Sequence, residues 1–259
     1  MIYGYMFGTE QPDEDIYMPE GRVLAGYAIG IIRSGTAAYP QFPGNVANAS
    51  TFDFPVYYKI LPPTTEEQLL SAEPDPAILE ETIKAARELE ELGVRAIVGA
   101  CGFFANYLTK VAAAVNVPTF LSSLMQIPII SRALNPSQKV GVITANANVL
   151  SPVALKACGV NDPSTIVITG AQDLPQMQNF LRSTGRHINS RKLEQELVDL
   201  SKQMVSENPD VGALLLECSD MPPYAWAIQK AVGLPVFDYI TMINWVYNAV
   251  VRRPFAGFM

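Results

Sequence analysis

Histidine and cysteine are scarce in this chain of 259 residues, which has one histidine, His187, and three cysteines. Metal sites draw on several histidine, cysteine or carboxylate ligands at close spacing, and the sequence contains no such group. The glycine-rich loops that cradle dinucleotides and triphosphates, G-x-G-x-x-G and G-x-x-x-x-G-K followed by Ser or Thr, do not occur either. We therefore expect chemistry without a metal, a nucleotide or another cofactor. His187 lies in a polar loop and is interpreted as a solvated surface residue.

The shortage of cysteine also excludes a disulfide scaffold. No apolar stretch approaches the roughly 18–20 residues of a membrane span, and residues 1–20 lack the charged start and apolar centre of a signal peptide. Acidic residues outnumber basic ones by 25 to 18, and the net charge of −7 disfavours nucleic acid and anionic membranes as partners. The sequence predicts a protein of the reduced cytoplasm with neither kind of partner.

What the chain does contain is a large apolar fraction, 49%, arranged in helices and strands. Residues 76–92 are predicted to form a helix, with Asp75 as its N-cap and Gly93 at its end. Its apolar face consists of Leu79, Ile83, Ala86 and Leu89. The apolar sequence RAIVGA at 95–100 then predicts a short buried strand, and Cys101 follows it directly.

The second half of the chain repeats this order of elements. A helix is predicted from apolar residues at helical spacing, namely Leu193, Leu197, Leu200 and Met204. The breaker Asn208-Pro209-Asp210 ends it. The apolar sequence GALLLE at 212–217 predicts a second buried strand, and Cys218 follows that strand just as Cys101 follows the first.

Four pairs of identical residues keep one separation, 117 positions, which is the difference between 218 and 101. The pairs are Cys101 with Cys218, Tyr107 with Tyr224, Pro118 with Pro235, and Met125 with Met242. GIIRSG at 30–35 also resembles GVITAN at 141–146. We interpret these matches as an internal duplication. The alternative, two similar strand–helix units of an ordinary α/β protein, explains the order of elements but not the paired cysteines.

Strands that alternate with helices predict an α/β fold of two pseudo-symmetric lobes, each a mostly parallel sheet flanked by helices. We assign residues 1–124 with 242–259 to the first lobe and residues 125–241 to the second. Ligands bind beyond the carboxyl ends of parallel strands, so the two strand-end cysteines are expected to face one cleft between the lobes. The loop at 38–52, rich in proline, glycine and asparagine, is expected to cover it.

Two facing thiols are suited to moving a proton from one face of a carbon atom to the other, because that transfer needs one base and one acid. We expect helix N-termini that follow Cys101 and Cys218 to lower the pKa of both thiols below the free value near 8.5. Glu217 and Asp220 flank Cys218, whereas no carboxylate adjoins Cys101 in the sequence. Cys101 is therefore expected to be the readier thiolate.

The chain resembles the aspartate/glutamate racemase superfamily, which includes cofactor-independent amino-acid and hydantoin racemases, arylmalonate decarboxylase and maleate isomerase. The resemblance spans about residues 25–250. It is carried by GIIRSG, GACGFF, GVITANA, LLECSDMPPY and GLPVFDYITMINW. It implies an active site between two lobes, with Cys101 and Cys218 as the proton-transfer pair. It also implies that Arg33, Ser34 and Asn146 bind a small carboxylate or amino-acid substrate, although Arg33 can also be read as a solvated cation.

The residues that follow the two cysteines depart from the racemase pattern of Asn-Thr after the first and Thr after the second. Gly102 and Ser219 stand there instead, and their N–H groups are expected to hold a substrate carboxylate or a developing enolate. Gly102 offers only its backbone, which argues against aspartate or glutamate as substrate. Phe103, Phe104 and Met221 indicate either an apolar pocket or ordinary core packing.

These observations predict a cofactor-independent racemase or epimerase that moves an α-proton with two cysteines. A decarboxylase or cis–trans isomerase of the same fold, and a binding protein without catalytic activity, remain alternatives. Cys158, which has no partner at the common separation, is interpreted as a structural thiol. A homodimer is compatible with the sequence, which does not fix the oligomeric state.

Overall fold

The computed structural model describes residues 22–35, 39–69, 71–181 and 187–259. Residues 1–20, interpreted above as lacking a signal peptide, lie outside the described residues, as does residue 38 of the expected covering loop. In the described part of the chain, no helix combines the length and the apolar character needed to cross a membrane.

The first half of the described chain builds one parallel sheet. Its strands are β1 (Ile29–Arg33), β2 (Val56–Ile60), β3 (Ala96–Gly99) and β4 (Thr119–Phe120), in the order β2-β1-β3-β4. The accompanying helices are α1 (Glu66–Leu69), α2 (Pro76–Leu92), α3 (Leu108–Ala112) and α4 (Ile127–Ala133). The central strands β1 and β3 are buried almost throughout, as expected for apolar strands covered on both faces.

The predicted helix at 76–92 is confirmed with both of its ends. The Asp75 carboxylate accepts the backbone N–H of Ala77 at 2.8 Å, which satisfies one of the free donors of the first turn. Gly93 ends the helix in the left-handed conformation with φ of 97°, which favours glycine because it has no Cβ. The helix therefore ends at a defined residue, shortly before the chain enters β3.

The second half builds another parallel sheet in the same way. Its strands are β5 (Lys139–Thr144), β6 (Ile166–Gly170), β7 (Val211–Leu216) and β8 (Val236–Phe237), in the order β6-β5-β7-β8. The helices of this half of the chain are α5 (Pro152–Ala157), α6 (Pro175–Leu181), α7 (Ser190–Glu207), α8 (Ala225–Val232) and α9 (Tyr239–Val250), of which α9 packs on the first sheet. The two sheets share one strand order, in agreement with the duplication inferred from the sequence.

The two sheets share apolar packing. One buried cluster joins Ile32 and Ile97 of the first sheet to Val142 and Leu215 of the second. A separate cluster packs the last helix, α9, against the first sheet, through Tyr239, Met242 and Val246 against Ile29 and Ala96. The α/β class with two sheet-based lobes is thus as predicted, and the shared core fixes the strand ends of one lobe relative to those of the other.

Candidate active site

Cys101 and Cys218 occupy equivalent positions, each two residues beyond the end of a central strand, β3 or β7. Both are free thiols, and both residues are half-buried. A short 3-10 helix follows each cysteine and leads into α3 or α8. Negative charge on Cys101 raises the pKa of Cys218, so the two sulfurs lie within electrostatic reach of each other.

The loop at 39–52 lies over the end of the second sheet. The Tyr39 hydroxyl donates to Oδ2 of Asp220 at 2.7 Å, and the Asn45 side-chain amide donates to Oδ1 at 2.5 Å. The backbone N–H of Val46 donates to the carbonyl of Ser219 at 3.4 Å. The described residues of this loop therefore contact the segment that follows Cys218, and its covering of a cleft between the lobes remains a prediction.

Asp220 is held directly beside the second thiol. The Cys218 sulfur donates to Oδ2 of Asp220 at 3.7 Å, and only 9% of Asp220 is exposed. Burial raises the pKa of Asp220, while the hydrogen bonds from Tyr39 and Asn45 and the positive charge of Arg33 act in the opposite direction. Burial, and next the charge of Asp220, raises the pKa of Cys218 well above its usual range.

Glu217 brings a second carboxyl group into the same region, and its side chain is fully buried. The Thr144 hydroxyl donates to Oε2 at 2.7 Å, and the Ala145 N–H donates to it at 3.3 Å. Oε1 has no hydrogen-bond partner among the described residues. Burial raises the pKa of Glu217 to about 7 despite the hydrogen bonds from Thr144 and Ala145, so its proton is bound over most of the range below neutrality.

Gly102, the residue after Cys101, packs against this carboxyl group. A Cβ atom at position 102 would overlap Oε1 of Glu217 and would lie 2.7 Å from the Glu217 carbonyl oxygen. The glycine that departs from the racemase pattern is thus matched to a glutamate in the other half of the chain. Both residues adjoin a cysteine, Gly102 after the first and Glu217 before the second.

The expected lowering of the thiol pKa values by helix N-termini is wrong for this structure. Burial raises the pKa of Cys101 far above its usual range, and the Glu217 carboxylate is the next largest cause. The backbone N–H groups of Phe103 and Phe104 favour the thiolate of Cys101, but they do not outweigh burial. The expectation that Cys101 lacks a neighbouring carboxylate holds along the sequence only, since Glu217 reaches it through the fold.

The predicted substrate-binding residues of the first strand lie at its carboxyl end. Arg33 is the last residue of β1 and is half-buried, and its charge acts on both Asp220 and Tyr39. Ser34 is buried, with its hydroxyl 3.3 Å from that of Thr64. The structure thus brings Arg33 towards the second thiol, through Asp220.

The other predicted binding residues have partners of their own. Asn146 follows β5, and its side chain accepts the N–H of Asn148 at 3.1 Å, which caps a short 3-10 helix. The Ser219 hydroxyl donates to the carbonyl of Ala100 at 3.1 Å, which joins the residue after one cysteine to the residue before the other. A substrate-binding role for Ser34, Gly102, Asn146 or Ser219 remains a prediction.

Three apolar residues near the cysteines belong to the core. Phe103, Phe104 and Met221 are each at most 1% exposed, which supports core packing over the lining of an apolar pocket. Cys158 is buried at the end of α5, as a structural thiol would be.

Sequence reasoning did not anticipate Tyr39 and Asn45 as partners of Asp220, or Glu217 as a neighbour of Gly102. Local periodicity carries no signal for such contacts, because Tyr39 and Asp220 are separated by 181 positions. Glu217 did carry one sequence signal of a specific contact, because it is a charged residue at the end of an otherwise apolar strand. A buried glutamate is rare without a specific partner.

Comparison with known proteins confirms the resemblance inferred from the motifs. Residues 54–245, which include both cysteines, match the Asp/Glu/Hydantoin racemase family. Allantoin racemase from Klebsiella pneumoniae has the same fold, with a TM-score of 0.56, 17% sequence identity, and coverage of 90% of this chain and 96% of that protein.

Relatives with higher sequence identity to this chain carry another activity in their names. The dimethylsulfoniopropionate lyase of Durusdinium sp. clade D is 30% identical over 236 residues, which cover 89% of this chain and 77% of the lyase. Dimethylsulfoniopropionate lyase 3 of Emiliania huxleyi (strain CCMP1516) is 31% identical over 238 residues. That match covers 89% of this chain but only 61% of the length of lyase 3.

Proposed function

The chain belongs to the Asp/Glu/Hydantoin racemase family, and we propose that it is a carbon–sulfur lyase that cleaves dimethylsulfoniopropionate into dimethyl sulfide and acrylate. One observation carries the proposal: a protein named for that lyase activity is 30% identical to this chain over 77% of its own length. This proposal replaces racemisation of an amino acid as the leading hypothesis, and it keeps the cysteine-based chemistry.

Racemases and this lyase share the first half of their reactions. In both, a base removes a proton from the carbon next to a carboxylate, and the carboxylate takes up the negative charge that develops. In dimethylsulfoniopropionate, the neighbouring carbon carries the sulfonium group. The C–H electron pair becomes the new C=C bond, the C–S pair leaves with sulfur, and neutral dimethyl sulfide departs from acrylate. The base retains one proton, which then passes to solvent.

This elimination needs a single base. Racemisation must return a proton to the opposite face, whereas dimethyl sulfide leaves as a neutral molecule and needs no acid. Burial raises the pKa of both thiols. We assign Cys101 as the base because two backbone N–H groups, those of Phe103 and Phe104, favour its thiolate. Only one, that of Asp220, does so at Cys218. Cys218 instead donates to the Asp220 carboxylate and remains a thiol. The adjacent Asp220 charge is the largest cause after burial that raises the pKa of Cys218, and it favours the protonated form.

Substrate binding follows from the residues at the strand ends. Arg33 pairs with the substrate carboxylate and stabilises the charge that develops on it. The backbone N–H groups of Gly102 and Ser219, one after each cysteine, supply further donors. Ser34 and Asn146 complete the rim of the site.

Racemisation remains the second candidate because two cysteines occupy equivalent positions after β3 and β7, although the elimination uses one. The test incubates the purified chain with dimethylsulfoniopropionate and measures dimethyl sulfide by gas chromatography and acrylate by NMR. The same preparation, in heavy water, is given a panel of amino and carboxylic acids to detect α-deuterium exchange.

We expect dimethyl sulfide and acrylate in equal amounts, and a 10²–10⁴-fold loss of rate for Cys101→Ser. Cys158→Ser, which removes a thiol outside the site, is the matched control and should keep the rate. Absence of dimethyl sulfide together with α-deuterium exchange in an amino acid would establish the racemase. Absence of both would indicate another reaction of the fold or a binding protein.

A further inference from the structure

We propose that Asp220 is the recognition group for a cationic centre of the substrate, so that the site selects carboxylates bearing an onium group over neutral or dicarboxylate analogues. This inference rests on the proposed lyase function, because it assigns the sulfonium end of that substrate to a residue. It starts from the placement of Asp220, whose carboxylate lies 3.7 Å from the Cys218 sulfur.

The Asp220 carboxylate is fixed by residues of the loop at 39–52. Tyr39 holds one of its oxygens at 2.7 Å, and Asn45 holds the other at 2.5 Å. Asn45 is itself anchored, since its own Oδ1 accepts the N–H of Ala47 at 2.7 Å. The hydroxyl and the amide that orient this carboxylate are neutral, and the positive charge that acts on it is that of Arg33, at the end of β1. Fixed orientation is what recognition of a ligand requires.

The charges that act on the two thiols are negative. Glu217 and Asp220 are the charged groups that most raise the pKa values of Cys101 and Cys218. A second substrate carboxylate beside Asp220 would meet like-charge repulsion at low dielectric, whereas a cation there would be attracted. Tyr39 also brings an aromatic ring next to Asp220, and aromatic rings attract onium groups. The surroundings of Asp220 are therefore unsuited to a second carboxylate, such as the one that aspartate or glutamate carries.

A competing role for Asp220 is to take the proton of Cys218 and so activate that thiol. The two roles differ in kinetics. A group that binds the onium centre stabilises the ground state, because the positive charge disappears as dimethyl sulfide leaves. Its removal should raise KM and leave kcat unchanged or higher. A group that activates a thiol acts on the proton transfer, so its removal should lower kcat.

The experiment uses two ligands of the same shape that differ in one charge. They are 3-(trimethylammonio)propanoate, which carries the cation, and 4,4-dimethylpentanoate, its neutral carbon isostere. Calorimetry gives the Kd of each for the full chain and for Asp220→Asn. Asp199→Asn, which removes an exposed carboxylate on α7, is the matched control. Tyr39→Phe keeps the Asp220 charge and removes only the hydroxyl.

We expect the unmodified chain to bind the ammonium ligand roughly 10- to 100-fold more tightly than the neutral isostere. Asp220→Asn should reduce this preference to a few-fold, mainly by weakening the ammonium ligand, and should raise KM for dimethylsulfoniopropionate without lowering kcat. Asp199→Asn should keep the preference. Tyr39→Phe, which keeps the Asp220 charge but removes one of the hydrogen bonds that orient it, should reduce the preference by less than Asp220→Asn does.

Equal binding of the two ligands by the unmodified chain would overturn the inference, and this measurement needs no variant to fold. Equal weakening of both ligands in Asp220→Asn, or a fall in kcat alone, would also overturn it and would favour thiol activation. Failure of the lyase proposal is seen separately, as absence of dimethyl sulfide, because the binding measurements do not depend on turnover.

Discussion

The carboxyl group of Glu217 fills the space in which a side chain at position 102 would lie. The two residues come from different halves of the chain, yet each adjoins one of the paired cysteines. Their fit couples the end of β3 to the end of β7. A glycine at 102 is therefore required by the buried glutamate and not by backbone conformation.

The first prediction concerns this contact. Gly102→Ala should destabilise the fold by about 1–3 kcal/mol, because the added methyl group must displace a buried carboxyl from its hydrogen bonds. Glu217→Ala removes the carboxyl group that the added methyl group would displace, and should therefore restore part of the lost stability. Gly102→Ala combined with Glu217→Ala should thus be more stable than the sum of the two single changes predicts. Urea unfolding of the four proteins measures this coupling.

Gly257→Ala is the control for this cycle, because no atom lies within 4 Å of a Cβ added there. Strictly additive losses in the double variant would show that Gly102 and Glu217 do not constrain each other.

The second prediction concerns pH. Burial raises the pKa of Glu217 from its usual 4.5 to about 7. Between these values the folded protein binds more protons than the unfolded chain, so the free energy of unfolding should fall as pH rises. The contribution is fully present below pH 4.5 and is lost by about pH 7, in total on the order of 3 kcal/mol.

Unfolding in urea at pH 5 and pH 8 tests this, with Glu217→Gln for comparison. The glutamine cannot ionise, so this variant should lose less stability than the unmodified chain between the two values. Glu207→Gln, an exposed position at the end of α7, should behave like the unmodified chain. An unchanged pH dependence in Glu217→Gln would mean that Glu217 does not titrate in this range.

The parts of this molecule that follow local rules could be read from the sequence. Several features depend on residues close in sequence or on simple repetition. They are the capping aspartate and the terminal glycine of α2, the buried apolar strands, and the separation of 117 positions between Cys101 and Cys218. These features were enough to predict the α/β class, the duplicated sheet and the positions of the two thiols at the strand ends.

The electrostatics of the site depend on contacts between distant segments and could not be read in this way. The pairing of Tyr39 with Asp220 joins residues 181 positions apart. The thiol pKa values were expected to fall because helices follow the cysteines, but burial opposes this effect and is larger. Burial is a property of the whole fold, so composition and spacing do not reveal it.

The third prediction concerns thiol reactivity. Since burial raises the pKa of both Cys101 and Cys218, each should react with iodoacetamide at neutral pH more slowly than free cysteine does. Cys101 should react before Cys218, because two backbone N–H groups favour its thiolate against one at Cys218, and because Cys218 donates to Asp220. Peptide mass spectrometry after timed labelling gives both rates.

The Glu217→Gln variant tests whether the Glu217 carboxylate slows the labelling of Cys101. Removal of the carboxylate should lower the pKa of Cys101 and speed its labelling, by nearly tenfold for each unit of pKa. Cys158, buried at the end of α5, should remain unlabelled in every sample. Faster labelling of Cys218 than of Cys101 in the unmodified chain would contradict the assignment of Cys101 as the base.

The fourth prediction separates elimination from racemisation by the two single cysteine variants. If one base suffices, Cys101→Ser should lower the rate of dimethyl sulfide release by about 10²–10⁴-fold, because a hydroxyl is too weakly acidic to act as an alkoxide near pH 7. Cys218→Ser should keep most of the rate, within about tenfold, since a serine hydroxyl can still donate to Asp220. A two-base racemase instead predicts that each variant loses net racemisation and exchanges the α-proton of opposite enantiomers with heavy water. The one-base elimination would be contradicted if both variants lost the rate equally and exchanged the α-protons of opposite enantiomers of an amino acid. The second thiol would then have an acid–base role.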